Sequence, residues 1–215
     1  KTKESIYMAS AVIHLCVAKR VGDILNQKSK EYYIGSIAPD ISKIIGESKD
    51  KTHFITNEES IPNIDLFLNK YKRHLNNPFE LGYFVHLYTD KLWYENFSNN
   101  IYYNTSIKMK DGTVLNVEPS FISKIIYEDY TNLNIDLIDR YKLDLSIFYE
   151  ENNINNTFIK EYPIDKVQLL IDKMGTIIEN STRENTYALD IKNIEEFINE
   201  SSKEILKELE NIKCS

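Results

Sequence analysis

The chain holds four histidines, His14, His53, His74 and His86, and three of them stand in segments otherwise rich in apolar residues. A neutral imidazole is a costly choice for an apolar face unless a partner or an ion takes its nitrogen lone pair. His86 and Asp90 form H-x-x-x-D, a spacing of four that on a helix sets both side chains on one face, one turn apart. Two such ligands can grip one ion; the same pair can also be an intrahelical hydrogen bond in a polar core spot. Gly82, four residues earlier, removes the side chain on that stripe and leaves room beside the pair. Asp40 follows Ala38-Pro39 among Ile34, Ile37, Ile41 and Ile44. It reads either as a helix N-cap or as a carboxylate that needs a cation or several donors to stay ionised.

His53, between Thr52 and Phe54, stands where the chain returns from a polar excursion and reads as a surface histidine or a ligand. His14, beside the core stripe of the first helix, reads as a satisfied core histidine or a ligand. His74, in Lys72-Arg73-His74-Leu75, reads as a solvated, helix-capping residue outside the site. The set His14, Asp40, His53, His86 and Asp90 offers three imidazoles and two carboxylates, a mixture that suits Zn²⁺ and its borderline neighbours, whereas Ca²⁺ takes more oxygen. Glu95, Glu128 and Asp129 are further oxygen donors that read more readily as surface charges. Tyr83, Tyr88 and Trp93 read as core aromatics first and as cleft walls second.

The elements that must position these residues are mostly helical. Apolar residues recur at three- and four-residue steps over 5–26, where Gly22 marks a kink near the end, and again over 61–75, 119–141, 164–178 and 191–212. Residues 78–97 are apolar on nearly every face, the pattern of a helix enclosed by others. Residues 32–41, punctuated by Gly35 and Pro39, read as a buried irregular connection, and 43–51 as an exposed excursion. The β-prone residues of 101–117 flank Asp111-Gly112, which predicts a small β-hairpin. The expectation is an all-α, multi-helix bundle of about six helices and one hairpin, without internal repeats.

The 215 residues suit a single domain spanning 1–215. With 42% hydrophobic and 27% charged residues, wholesale disorder and fibrous structure are excluded. No run reaches the ~18 consecutive apolar residues of a transmembrane segment. A net charge of -7 makes nucleic acid an unfavoured partner. The two cysteines, Cys16 and Cys214, have neither the number nor the spacing of a disulfide framework or a Cys-based zinc site, so the expected location is the cytoplasm. The first residue is Lys1, and a cleaved leader ahead of it stays open.

The segments around His14 (residues 9–18), Gly35-Ser36-Ile37-Ala38-Pro39-Asp40-Ile41, Thr52-His53-Phe54 and Gly82-Tyr83-Phe84-Val85-His86-Leu87-Tyr88-Thr89-Asp90 arrive in one order. In that order they resemble the bacterial zinc-dependent phospholipase C family, which is related to single-strand-specific fungal nucleases. The resemblance covers residues 1–100, while the helices of 119–213 have no match. It implies the helical phospholipase C/nuclease type of fold, with Asp40, His53, His86 and Asp90 holding one zinc while His14, with Asp90 as bridge, helps hold a second. Secreted family members complete the second site with an N-terminal Trp, where this chain has Lys1. They hold a third zinc through histidines downstream of H-x-x-x-D, and no histidine follows His86, so one or two Zn²⁺ ions are expected and the third family site is absent.

The leading expectation is a metal-dependent hydrolase of phosphate esters with Asp40 and His14 as catalytic candidates, acting on a phospholipid or small phosphate ester. The alternative is a catalytically inactive scaffold or binding protein that keeps a structural metal, since four protein ligands close a tetrahedral ion. A third class, the HD-type phosphohydrolases, needs an adjacent His-Asp dipeptide, and none occurs. Whether the chain is an enzyme, and its oligomeric state, stay open at this level.

Overall fold

The computed structural model describes residues 8–56 and 61–214. The expected first turn of the first helix, over residues 5–7, lies outside the described residues. Helix α1 (Ala11–Leu25) starts behind Ser10, whose Oγ accepts the Ile13 amide at 3.2 Å, and ends at Asn26 in the left-handed region (φ 54°). Gly22 does not kink it. A Cβ there would stand 2.5 Å from the Gln27 carbonyl oxygen and 2.9 Å from the Tyr32 ring, so the glycine admits the tight return of the chain.

The stretch expected to be irregular is a series of short helices: α2 (Lys30–Gly35), a 3₁₀ turn over Ala38–Asp40, α3 (Ile41–Ile45) and α4 (Lys49–Thr52). Local capping explains them. Ser29 Oγ accepts from the Tyr32 amide and Ser48 Oγ from the Asp50 amide, each starting a helix too short to show a period. Helix α5 (Ile64–Tyr71) follows, with a 3₁₀ turn over Lys72–His74 behind it.

Helix α6 (Pro78–Leu92) opens with Pro78 in its first turn and continues into a π turn over Trp93–Phe97. It packs against α1, α2 and α5, and it is buried on every face, with Tyr83, Phe84, Val85 and Leu87 fully enclosed. Trp93 and Tyr83 are core residues at 0% exposure, and Tyr88 is half-buried.

The expected two-stranded hairpin is instead a three-stranded antiparallel meander of β1 (Tyr102–Tyr103), β2 (Ser106–Lys108) and β3 (Val114–Asn116). Ile107, fully buried, faces Tyr102 on one side and Leu115 on the other. Gly112 takes φ 89° in the loop between β2 and β3, while Asn104 at φ 51° makes the second turn that the sequence did not signal.

Helices α7 (Pro119–Tyr141), α8 (Val167–Glu179) and α9 (Ile191–Cys214) follow the expected spans within a few residues. In α9 the buried residues Ile194, Phe197, Ile198, Ser201, Ile205 and Leu209 form one stripe, laid against α1 and α6. None of the described helices is long and apolar enough to cross a membrane.

Buried carboxylates tie down the long connections. Glu80 of α6 accepts from the Phe158 amide at 2.8 Å and from Thr157 Oγ1 at 2.7 Å. Asp129 of α7, expected on the surface, is 0% exposed because it accepts the amides of Tyr187, Ala188 and Leu189 at 2.7–2.8 Å. Glu95 and Glu128 are exposed, as expected.

Gly82 serves the approach of α2. A Cβ on Gly82 would lie 2.1 Å from the Tyr32 carbonyl oxygen and 2.8 Å from the Ser36 nitrogen, and one on Gly35 would lie 2.2 Å from the Phe79 carbonyl oxygen. The two helices therefore touch backbone to backbone, and the space beside His86 is filled by main chain. Replacing Gly82 by Ala is expected to lower stability by about 3 kcal/mol, since neither backbone can yield cheaply. Gly175→Ala in α8, where the new Cβ meets only Phe148 Cβ at 3.8 Å, is expected to be neutral or to gain up to ~1 kcal/mol. Urea unfolding of the two variants checks the contrast.

Candidate metal centre

Four separate pieces of chain bring the five candidate side chains together. Helix α1 supplies His14, α6 supplies His86 and Asp90, the 3₁₀ turn before α3 supplies Asp40, and the residue closing α4 is His53. All are buried, Asp40 at 4% exposure and the other four at 0%. His53 is thus no surface histidine, and Asp40 makes no capping hydrogen bond to α3. His74 stands apart, half-buried and stacked on the Phe158 ring at 3.9 Å, which corrects its reading as a solvated cap.

His53 Nε2, His86 Nε2 and Asp90 Oδ2 form a triangle with sides of 3.3 Å (His53–His86), 3.2 Å (His86–Asp90) and 3.6 Å (His53–Asp90). Donors bound about 2.0–2.1 Å from a tetrahedral Zn²⁺ stand about 3.3–3.4 Å from one another, so the triangle has the dimensions of a tetrahedron's face. Asp40 Oδ1 lies 3.8 Å from His53 Nε2. The other oxygen of Asp90, Oδ1, is 3.2 Å from His14 Nε2, and the His14 and His86 rings stack at 3.7 Å with an 11° tilt. Asp90 therefore turns one oxygen to each of two donor groups. The sets His53–His86–Asp90 and His14–Asp40–His86 each have donor atoms close enough to share an ion.

The partners behind the imidazoles fix which nitrogen carries the proton. His86 Nδ1 lies 2.9 Å from the Ser36 carbonyl, which can only accept, so Nδ1 holds the proton and Nε2 presents a lone pair. His53 Nδ1 lies 3.1 Å from Thr52 Oγ1, and that hydroxyl donates to the Pro39 carbonyl at 2.8 Å, which leaves it to accept from Nδ1–H. Both Nε2 atoms then face each other as lone pairs at 3.3 Å. Asp90 Oδ1 and Oδ2 and both nitrogens of His14 are buried without a well-formed hydrogen bond among the described residues, while Asp40 Oδ1 has the Lys43 ammonium at 3.0 Å. The inner nitrogens of His53 and His86, converging on Asp90 Oδ2 with no proton between them, are an arrangement that could hold a metal ion.

The surrounding side chains hold these directions. Tyr83 of α6 donates its hydroxyl to the Thr52 carbonyl, pinning the end of α4. Phe54 takes φ 55°, unusual for a bulky residue, and is held there by Phe67, Tyr71 and Tyr83 at ring separations of 5.2–6.3 Å. That bend turns the chain away directly behind His53. Lys43, which the sequence reading passed over, places Nζ 3.0 Å from Asp40 Oδ1; its signal was a cation one helical turn past the carboxylate.

Burial is the main force lowering the imidazole pKa values of His53, well below the ordinary value, and of His14, with His86 adding to both. Burial pushes the Asp90 carboxyl up, and charge on His14 and His86 outweighs it, so the carboxyl falls well below the usual range when these imidazoles carry protons toward it. Burial likewise opposes ionisation of Asp40, and Lys43 followed by the imidazoles overcomes it. A cavity of about 280 Å³ borders Asp40 and Lys43.

The sign of the pH dependence follows from these directions. As pH falls through 6.5 the imidazoles of the unfolded chain take up protons that His14 and His53 in the fold refuse, so folding stability declines. Asp40, held ionised first by Lys43, adds a loss of the same sign below 3.8. Chelator-treated protein is expected to lose up to about 1.4 kcal/mol per pH unit for each of the two imidazoles between pH 6.5 and 5, read by chemical denaturation across that range. No family model matches the chain, nor does any curated protein or solved structure.

Proposed function

We propose that the chain is a zinc-dependent hydrolase of phosphate esters of the phospholipase C-like type, with His53, His86, Asp90 and Asp40 around one ion and His14 with Asp90 around a second. One observation carries this reading: lone pairs of His53, His86 and Asp90, deprived of protons by the Ser36 carbonyl and the Thr52 hydroxyl, spaced as a tetrahedron's face. The motif order of the first hundred residues supports the same class. The chemistry such ions supply is Lewis-acid polarisation of a phosphoryl oxygen and acidification of a water nucleophile.

The chain's own residues do the rest. Asp90 keeps two donor groups in register by giving an oxygen to each. Asp40, the one of the five that borders the cavity, is the carboxylate placed to orient water and hold its proton. His14 assists at the second group or at the leaving oxygen. The cavity gives a small phosphate ester or the head of a phospholipid access to Asp40.

A second reading, a structural metal in a catalytically inactive scaffold or binding protein, is favoured by the number of side chains at the first group, since His53, His86, Asp90 and Asp40 suffice to close a tetrahedral ion. Metal analysis of the purified protein, paired with turnover of chromogenic phosphate mono- and diesters with and without chelator, separates the two. Two bound ions and chelator-sensitive turnover are expected; one ion and no turnover selects the scaffold. Thr52→Val, which removes the acceptor behind His53 while keeping its shape, is expected to lower metal affinity about 10–100-fold, read by competition with a chromophoric chelator. Metal-free protein whose stability is unchanged by His86→Ala ends both readings.

A further inference from the structure

The cavity of about 280 Å³ beside Asp40 gathers cations, as does one of about 380 Å³ lined by Lys72, Arg73 and Lys213, and of the two it is the one that borders the candidate metal centre. The chain carries a net charge of -7, and a cavity of about 330 Å³ beside α9 is lined by Glu196, Glu200 and Glu204 with no cation. The cavity at Asp40 is lined by Lys43 and Lys173, with Asp40 as its single carboxylate among the described residues. The Lys43 side chain is 34% exposed beside Asp40, and Lys173 is an exposed residue of α8 in no ion pair among the described residues.

Helix α1 adds its positive end. Ala11 and Val12 line the cavity, and their amides precede those of Ile13 and His14, which Ser10 satisfies through its hydroxyl and carbonyl oxygens. Asn134, 3% exposed, adds a neutral amide to the wall, held by donation of Nδ2 to Ser181 Oγ at 3.0 Å, and the Ser181 hydroxyl in turn donates to the Ile177 carbonyl. Ile44, Met174 and Ile177 make much of the remaining lining apolar.

We infer that this cavity is the substrate subsite, that Lys43 and Lys173 hold the phosphoryl group within it, and that the substrate class is a dianionic phosphate monoester of a compact, largely apolar alcohol. The inference rests on the reading of the metal centre given above and deepens it. A monoester dianion has three terminal oxygens and two charges to share among the Lys173 ammonium, the Lys43 ammonium that also pairs with Asp40, and a helix terminus, whereas a diester has one charge and a second substituent to house. A space of about 280 Å³ takes a phosphoryl group with one ring or a short chain. In the hydrolysis, the bond from phosphorus to the alcohol oxygen breaks, the water oxygen bonds to phosphorus, and a water proton passes to the departing alkoxide. Lys43 and Lys173 are positioning residues: they set the phosphoryl group beside Asp40 without exchanging protons.

Calorimetric titration of phenylphosphonate, a dianion at pH 8.5, and of its monomethyl ester, a monoanion, into the full chain tests this, with metal content measured on the same samples. The dianion is expected to bind about tenfold more tightly than the monoanion, and Lys173→Gln and Lys43→Gln each to weaken it about five- to tenfold, with the metal content of Lys173→Gln unchanged. Equal binding of the two probes, or dianion binding that neither substitution weakens, overturns the subsite while leaving a metal-loaded centre standing. Lysine-dependent dianion binding by protein that takes up no metal sustains the subsite and overturns the metal reading instead.

Discussion

Three imidazoles and two carboxylates are buried within a few ångströms of one another, and the inner nitrogens of His53 and His86 converge on Asp90 without a proton to share. Burying an ionised carboxylate costs several kcal/mol unless an opposite charge or hydrogen bonds compensate it, and two nitrogen lone pairs 3.3 Å apart repel. The Lys43 ammonium compensates one carboxylate oxygen, on Asp40. The Ser36 carbonyl and the Thr52 hydroxyl lock the His86 and His53 protons on the far side of each ring, so neither can turn a proton inward to relieve the cluster. A cation at the focus resolves the conflict in one step, and the rest of the fold can be understood as holding the conflict in place.

That holding begins with main chain. Glycines at 35 and 82 let α2 lie directly on α6, and the contact sets the Ser36 carbonyl at hydrogen-bonding distance from His86. A side chain at either position would lift α2 away and release the imidazole's outer nitrogen. From the other side, Tyr83 on the same α6 reaches the Thr52 carbonyl, and Thr52 reaches Pro39, so the His53 and Asp40 segments are fastened to each other and to the central helix. Glu80 and Asp129, both buried carboxylates satisfied by backbone amides, fasten the long connections after α7 and α8. The molecule thus has two kinds of buried acid. Those with amide partners build the fold, and those without point at a common centre.

The distribution of charge follows the same division. Acidic residues dominate the chain and line the cavity beside α9, while the space next to Asp40 gathers two lysines and the amino end of α1. With a Debye length near ~8 Å at physiological ionic strength, the field in this cavity is set by these neighbours more than by the mean charge of the chain.

The sequence by itself determined the long helices, since 119–141 and 191–212 carry enough turns for a period of 3.6 to show, and it determined the five candidate residues, since H-x-x-x-D is a local spacing and polar groups in apolar segments stand out. It left α2, α3 and α4 unread because four to six residues span fewer than two turns and cannot repeat a period, and it missed the third strand because β1 has two residues. It placed Asp129 on the surface because the amides that compensate it come from residues 187–189, some sixty positions away. Only the tertiary structure decided that His14 stacks on His86, that His53 faces the same point, that Lys43 and Lys173 flank one cavity, and that Gly82 makes room for a helix. Each of these is a distance between segments remote in the chain, and such distances are set by how helices pack, which no local spacing encodes.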